Sequence, residues 1–262
     1  MGVQLIERDR QNVSVTPVGA QVIERAKLLL ASAEDLMDFV DHSAGTMTGQ
    51  LRLGVIPTIA PFLLPQVLPE VRSKYPDLQI ALREDLSGHL IKRLNDHQLD
   101  FAIIALPYDT SGLLVKELFA DEFWLAAREG DMAFKAKEVT LPAKLAERLL
   151  LLEEGHCLRE HSLRACKRSE IASSDQLEAT SLLTLVQMVE SGLGIALLPE
   201  MAVKNGILNN THLIARQLAA PTPNRMIALV ARQTTARIEE FMALSKLIME
   251  MHNQPQRKAS KK

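Results

Sequence analysis

Cys157 and Cys166 are the only cysteines in the 262-residue sequence, and they stand nine positions apart. Thiolate is the reactive form of cysteine. The run Glu153-Glu154-Gly155-His156-Cys157-Leu158-Arg159-Glu160 sets His156 and Arg159 beside the first thiol, and either can lower its pKa. The apolar run from Leu149 to Leu152 reads as a buried strand, so Gly155 and His156 fall on the loop leaving it. A strand-to-helix junction places Cys157 near unpaired backbone N–H groups, which favour an anion. The chemistry this suggests is a peroxidatic or redox-sensing thiol. If Leu158 to Lys167 is helical, nine steps of ~100° turn Cys166 about 180° from Cys157 and raise it about 13 Å along the axis. A disulfide needs Cα atoms roughly 4.4–6.8 Å apart, so the pair cannot bond across an intact helix without local refolding. The plainer alternative is two unrelated buried thiols, since no CxxC motif is present.

The rest of the chain must position these thiols, and its composition limits what else it does. Hydrophobic residues make up 47% and charged residues 24%, with a formal net charge of −2, so the whole chain does not attract nucleic acid electrostatically. Only the ends are basic: Arg8 and Arg10 at the front, and Arg257, Lys258, Lys261 and Lys262 in a tail over 253–262 expected to be solvated and disordered. No apolar stretch is long enough to span a membrane, and Met1-Gly2-Val3-Gln4 begins no signal peptide. The expected location is cytoplasmic, without membrane contact, where a permanent structural disulfide would be unusual.

Thr16-Pro17 opens the first clear element, with Thr16 as cap and Pro17 in the first turn of a helix. Val22, Ala26, Leu29, Ala33, Leu36 and Val40 then recur at alternating steps of four and three, a narrow heptad seam suited to pairing with a second copy; an ordinary surface helix is the alternative. Ser43 to Gly49 reads as a hinge. Beyond it, strands at 51–56, 78–83, 101–106, 149–152, 177–180, 194–198 and 226–231 alternate with helices at 62–74, 89–97, 181–191 and 236–251. Strands at 113–119 and 122–127 join the two series. The fold class is α/β, a long N-terminal helix followed by two lobes built on a parallel sheet. The boundaries expected are 1–16, 17–48 for the helix and hinge, and 49–252 for the lobes, one over about 49–120 with 226–252 and the other over about 121–225. Ligands gather beyond the carboxyl ends of such strands, here at Thr58, Ser87 and Gly155 to Cys157.

Leu5-Ile6-Glu7-Arg8 and Val15-Thr16-Pro17-Val18-Gly19 resemble the wing and linker-helix start of LysR-type transcriptional regulators. Leu51-Arg52-Leu53-Gly54-Val55-Ile56-Pro57-Thr58-Ile59-Ala60-Pro61 and Glu154-Gly155-His156-Cys157-Leu158-Arg159 resemble the peroxide-sensing members of that family. Ala179-Thr180-Ser181-Leu182 and Gly194-Ile195-Ala196-Leu197-Leu198-Pro199 extend the likeness to nearly the whole chain. The resemblance implies a periplasmic-binding-protein-like effector domain in a homodimer or tetramer that activates transcription. Hydrogen peroxide would be the effector and promoter DNA and RNA polymerase the partners, with no cofactor or metal. It makes Cys157 the peroxidatic and Cys166 the resolving cysteine, with Thr58, Ser87, His156 and Arg159 around the peroxide; Ser87 stands where the family often has Thr. On their own residue types, Thr58 is a helix cap, Ser87 a turn residue and His156 a half-exposed loop residue. The chain opens inside the winged helix-turn-helix, so groove-reading helices are expected to be absent and Arg8 and Arg10 to touch phosphates at most. A misassigned start, a natural truncation and a cloned fragment all fit.

Three function classes follow: a peroxide-sensing regulator, a LysR-type regulator whose lobes bind a small metabolite, and a thiol-peroxidase-like enzyme. Against an enzyme, the sequence holds no nucleotide-binding Gly-rich loop, no clustered metal ligands and no nucleophile elbow. The favoured reading carries a mechanical expectation, that oxidation unwinds Leu158 to Cys166 so the thiols can meet.

Overall fold

The computed structural model describes residues 2–8, 13–41, 47–134, 139–141, 143–165 and 177–253. Cys166, Arg10 and the basic tail from 254 lie outside the described residues, as do the side chains of Arg8, Leu36 and Val40.

At the front, strands β1 (Ile6–Arg8) and β2 (Val13–Val15) pair antiparallel with Ile6 opposite Val15. Thr16 then starts helix α1 (Pro17–Asp41): its hydroxyl oxygen accepts from Gly19 N at 2.9 Å while its O–H donates to the Gln4 carbonyl at 2.9 Å. A Cβ on Gly19 would run into the Leu5 carbonyl, so only glycine lets the hairpin lie this close to the helix. Along the seam Val22 is half-buried, Ala26 and Ala33 are exposed, and Leu29 is 74% exposed. Beyond Val22, the described part of this stripe is uncovered in the single chain.

The body follows in the order β3 (Gly49–Val55), α2 (Ala60–Lys74), β4 (Leu78–Glu84), α3 (Ser87–Asn95), β5 (Phe101–Leu106), β6 (Leu113–Arg128) and α4 (Ala143–Ala146). It continues through β7 (Leu151–Leu152), α5 (Cys157–Ala165), β8 (Glu178–Ala179), α6 (Leu182–Glu190), β9 (Ala196–Pro199) and α7 (Glu200–Lys204). The chain ends in β10 (Leu213–Gln217), β11 (Asn224–Arg232) and α8 (Ile238–Asn253). Seven strands form one curled sheet in the order β4-β3-β5-β11-β6-β10, with β9 also on β6. The expectation of a parallel sheet needs correcting. β3 runs parallel to β4 and β5, but β11 is antiparallel to both β5 and β6, and β6 is antiparallel to β9 and β10. The chain leaves along β6 and returns along β11, and a returning strand laid beside the outgoing one pairs antiparallel. The two strands expected at 113–119 and 122–127 are one 16-residue strand, and the register shift opposite Ile227 and Ala228 marks a bulge that bends it.

That bend lets β6 serve two hydrophobic cores. The first gathers Leu51 and Leu53 from β3, Val67 from α2, Leu90 from α3, Ile103 from β5 and Phe241 and Leu244 from α8. Phe101 and Phe241 meet edge to face at 5.4 Å between ring centroids. The second gathers Phe123 and Leu125 from the far end of β6, Leu158 and Leu163 from α5, Val186 and Val189 from α6 and Leu197 from β9. Phe62 packs against both. Cys157 is buried with the first core while its helical neighbours Leu158 and Leu163 are buried with the second, so the thiol sits where the halves meet. Among the described residues no helix is long and apolar enough to cross a membrane.

Candidate functional site

Cys157 is the first residue of α5 and is 7% exposed. The helix begins at the thiol itself, one residue before the expected start, because Gly155 turns the chain with φ +94° and releases it into the helix. A Cβ on Gly155 would come within 2.9 Å of Leu86 Cδ1, the residue before Ser87. The helix start and the α3 start are thereby pressed together. Ser87, 1% exposed, faces the thiol, and its hydroxyl has no formed hydrogen bond in the structure. The N-cap of α3 is Leu86, with no side-chain cap bond, so Ser87 is not spent on a turn.

Thr58, 2% exposed, is likewise not the cap of α2; that position belongs to Ile59. Its hydroxyl accepts from Arg225 Nη1 at 2.7 Å, and its carbonyl accepts from Nη2 at 3.1 Å. Arg225, 1% exposed on β11, is held from the other side by its cross-strand partner Asp121 on β6, with Nε and Nη2 donating to Oδ2 at 3.0 and 2.9 Å. Asp121 Oδ1 accepts from Met201 N on α7 at 2.9 Å. One buried ion pair therefore ties β6, β11, α7 and the loop after β3 together. Such a pair is tolerable at this depth only because nearly every lone pair and N–H has a partner.

The electrostatics at the thiol differ from the expectation of a low pKa set by His156 and Arg159. Burial is the largest influence on Cys157 and pushes its pKa up; the Arg225 charge, the Ser87 hydroxyl and the N–H groups of Leu158 and Cys157 pull the other way without prevailing. Arg159 is engaged elsewhere: its guanidinium donates to the Leu152 carbonyl at 3.0 Å and to the Glu178 carboxylate. His156 is 6% exposed rather than half-exposed, and burial lowers its pKa against a Glu153 carboxylate 3.9 Å away, which favours the neutral ring. The cation at the thiol is Arg225.

Of the residues singled out in the sequence, Thr58, Ser87 and Cys157 converge around Arg225 where the halves meet, whereas the His156 ring faces Glu153 and the Thr180 backbone and Arg159 turns to Glu178. Arg225, Asp121 and Tyr108 were not legible. Burial raises the Tyr108 pKa, with smaller contributions from the negative forms of Cys157 and Asp109, and its hydroxyl oxygen lies 3.0 Å from where a Cβ on Gly88 would be. The available sign for Arg225 was an arginine at the head of the apolar run Met226 to Ala231. Among the described residues no group of His, Cys, Asp and Glu could hold a metal ion.

Residues 44–250 match the LysR substrate binding domain. The chain belongs to the LysR family. It is a transcription regulator of that family and not an enzyme. It is 43% identical over 242 residues to the HTH-type transcriptional regulator EstR of Acinetobacter baylyi, covering 92% of this chain and 80% of the relative. It is 36% identical over 259 residues to a probable hydrogen peroxide-inducible genes activator of Streptomyces viridosporus, covering 95% and 80%. Among solved structures, a cysteine-to-serine mutant of Corynebacterium glutamicum OxyR with hydrogen peroxide bound superposes with a TM-score of 0.75 at 33% identity, covering 96% of this chain and 79% of that one.

Proposed function

We propose that this LysR-family regulator senses hydrogen peroxide through Cys157, with Cys166 as the resolving thiol. The observation that carries the reading is a thiol buried at a helix start, flanked by the unbonded Ser87 hydroxyl and facing the Arg225–Thr58 pair. Peroxide is small enough for so enclosed a place, and the relatives named for hydrogen peroxide share this domain. The Cys157 proton leaves, the sulfur attacks one peroxide oxygen, the O–O bond breaks and the departing hydroxide takes up a proton as water. Arg225, Thr58 and Ser87 offer the cation and hydroxyls that steady the charge on sulfur and oxygen, with His156 next to the thiol in the chain. The Cys166 thiol then attacks the sulfenic sulfur and expels a second water, leaving a disulfide that cellular thiols can reduce. For this, α5 must release Leu158 to Ala165.

In the same reading 17–48 is a linker and pairing helix, its exposed seam covered by a second copy in a dimer or tetramer. The two cores are the lobes of a periplasmic-binding-protein-like domain, about 49–120 with 226–252 and about 121–225. The regulator works in the cytoplasm on promoter DNA and RNA polymerase, and the changed packing of α5 biases how subunits assemble. The test is mass spectrometry after stoichiometric peroxide. We expect a sulfenic acid or disulfide at Cys157 in the parent, trapped sulfenic acid in Cys166→Ser, and no reaction in Cys157→Ser. Equal peroxide consumption by Cys157→Ser would overturn the assignment. A metabolite-binding reading is favoured by one feature, a cleft of about 440 Å³ lined by Phe62, Gln66, Phe119, Asp121, Glu200 and His252 on the far side of the Arg225 pair. A small molecule that raises Tm with both thiols blocked would support it.

A further inference from the structure

His161 is the buried titratable group that the mechanism above does not use. It lies four residues after Cys157 in α5, so both side chains share one face of the helix. It is 4% exposed, yet neither ring nitrogen has a hydrogen-bond partner. The groups facing it come from four elements. Phe123 of β6 presents a ring 6.3 Å away between centroids, tilted by 37°. Arg225 of β11 and Arg164 of its own helix present positive charge, and the loop after β5 presents the Pro107 carbonyl, which favours a proton without making a formed hydrogen bond to the ring. Two cations and an apolar wall make this a site for a neutral imidazole, and an imidazole left without partners is a weak anchor compared with the leucines beside it.

We propose that His161 makes the α5 switch proton-coupled: it stays neutral and unpartnered while the reduced chain keeps α5 packed, and it takes up a proton when oxidation releases the helix to solvent. This rests on the peroxide-switch reading. Burial first, then Arg225 and Arg164, hold the His161 pKa down to about 4, against about 6.5 for a free imidazole. Because the packed value lies below the released one, packing is at full strength above about pH 6.5 and weakens by up to about tenfold per pH unit as pH falls toward 4. Oxidising the two thiols releases two protons and two electrons; in this window His161 recovers one of the protons. The couple then exchanges one net proton for two electrons, and acid opposes disulfide formation less than it does for an ordinary dithiol.

The experiment poises the whole chain against reduced and oxidised dithiothreitol from pH 7 to pH 5. Both couples of an ordinary dithiol exchange two protons, so their equilibrium constant does not change with pH below the thiol pKa values. Relative to His161→Gln, the parent should shift toward disulfide by about twentyfold between pH 7 and pH 5. His161→Leu, which fills the site with an apolar side chain, should show the same pH independence as His161→Gln and favour the dithiol at every pH. If the parent and both variants share one pH profile while all form the Cys157–Cys166 bond, proton coupling through His161 is overturned and the switch stands. If no chain forms that bond at any pH, the switch itself falls and this inference with it.

Discussion

The two halves that meet at Cys157 are built differently. In the first, β3, β4, β5, β11 and the near end of β6 run for six residues or more, and each is laddered to a neighbour. Thr58, Ser87 and Arg225 stand at the ends of these elements, fixed by the sheet. In the second, β7 and β8 pair over two residues each, and α5 is a nine-residue helix joined to β7 by the bond from the Arg159 guanidinium to the Leu152 carbonyl and packed through Leu158 and Leu163. The stiff half thus presents the charge and hydroxyls, while α5, on the lightly tied β7–β8 side of the second half, carries the sulfur that the proposed switch moves. Free energies of local opening span a wide range within one molecule, and moving segments are drawn from the low end.

The largest expected effect comes from breaking the pair that joins the halves. Asp121→Ala leaves Arg225 buried without its counter-charge and should cost about 3–5 kcal/mol in urea denaturation; a cost below about 1 kcal/mol would mean that water or Thr58 already satisfies the guanidinium. Next, Leu244→Ala in the first core and Leu163→Ala in α5 should each cost about 2–5 kcal/mol or somewhat less where the site can collapse. Their signatures should separate. Leu163→Ala should speed hydrogen exchange of amides 157–165 while first-core protection holds, whereas Leu244→Ala should lower protection throughout; identical patterns would erase the distinction between the halves. Ser87→Ala tests chemistry alone: removing an unbonded buried hydroxyl should leave stability unchanged or slightly raised, yet slow sulfenic acid formation about tenfold, the value of one hydrogen bond to a charged sulfur. The same assay should show the parent rate rising about tenfold per pH unit from pH 7 toward 9, because burial raises the thiol pKa and only thiolate reacts. The smallest effect is Ser181→Ala at the α6 N-cap, where the lost bond from Thr184 N at 3.1 Å should cost about 1 kcal/mol of thermal stability.

Local pattern alone determined the element types. Alternating apolar runs and helical spacing located β3, β4, β5, β9, β11 and the long helices within a few residues, because those signals are carried by neighbours in the chain. The same locality made Thr16, Gly155 and the Cys157 helix start legible. What only the tertiary structure decided is how distant segments meet. The direction of β11 made the sheet mixed, and its register set Arg225 opposite Asp121, 104 positions earlier in the chain. That pairing, rather than the nearby His156 or Arg159, supplies the cation at the thiol, and the depth of burial reverses the expected direction of the Cys157 pKa. Sequence spacing measures distance along the chain, whereas charge and desolvation act through space, so the residues that could do chemistry were visible but the field acting on them was not.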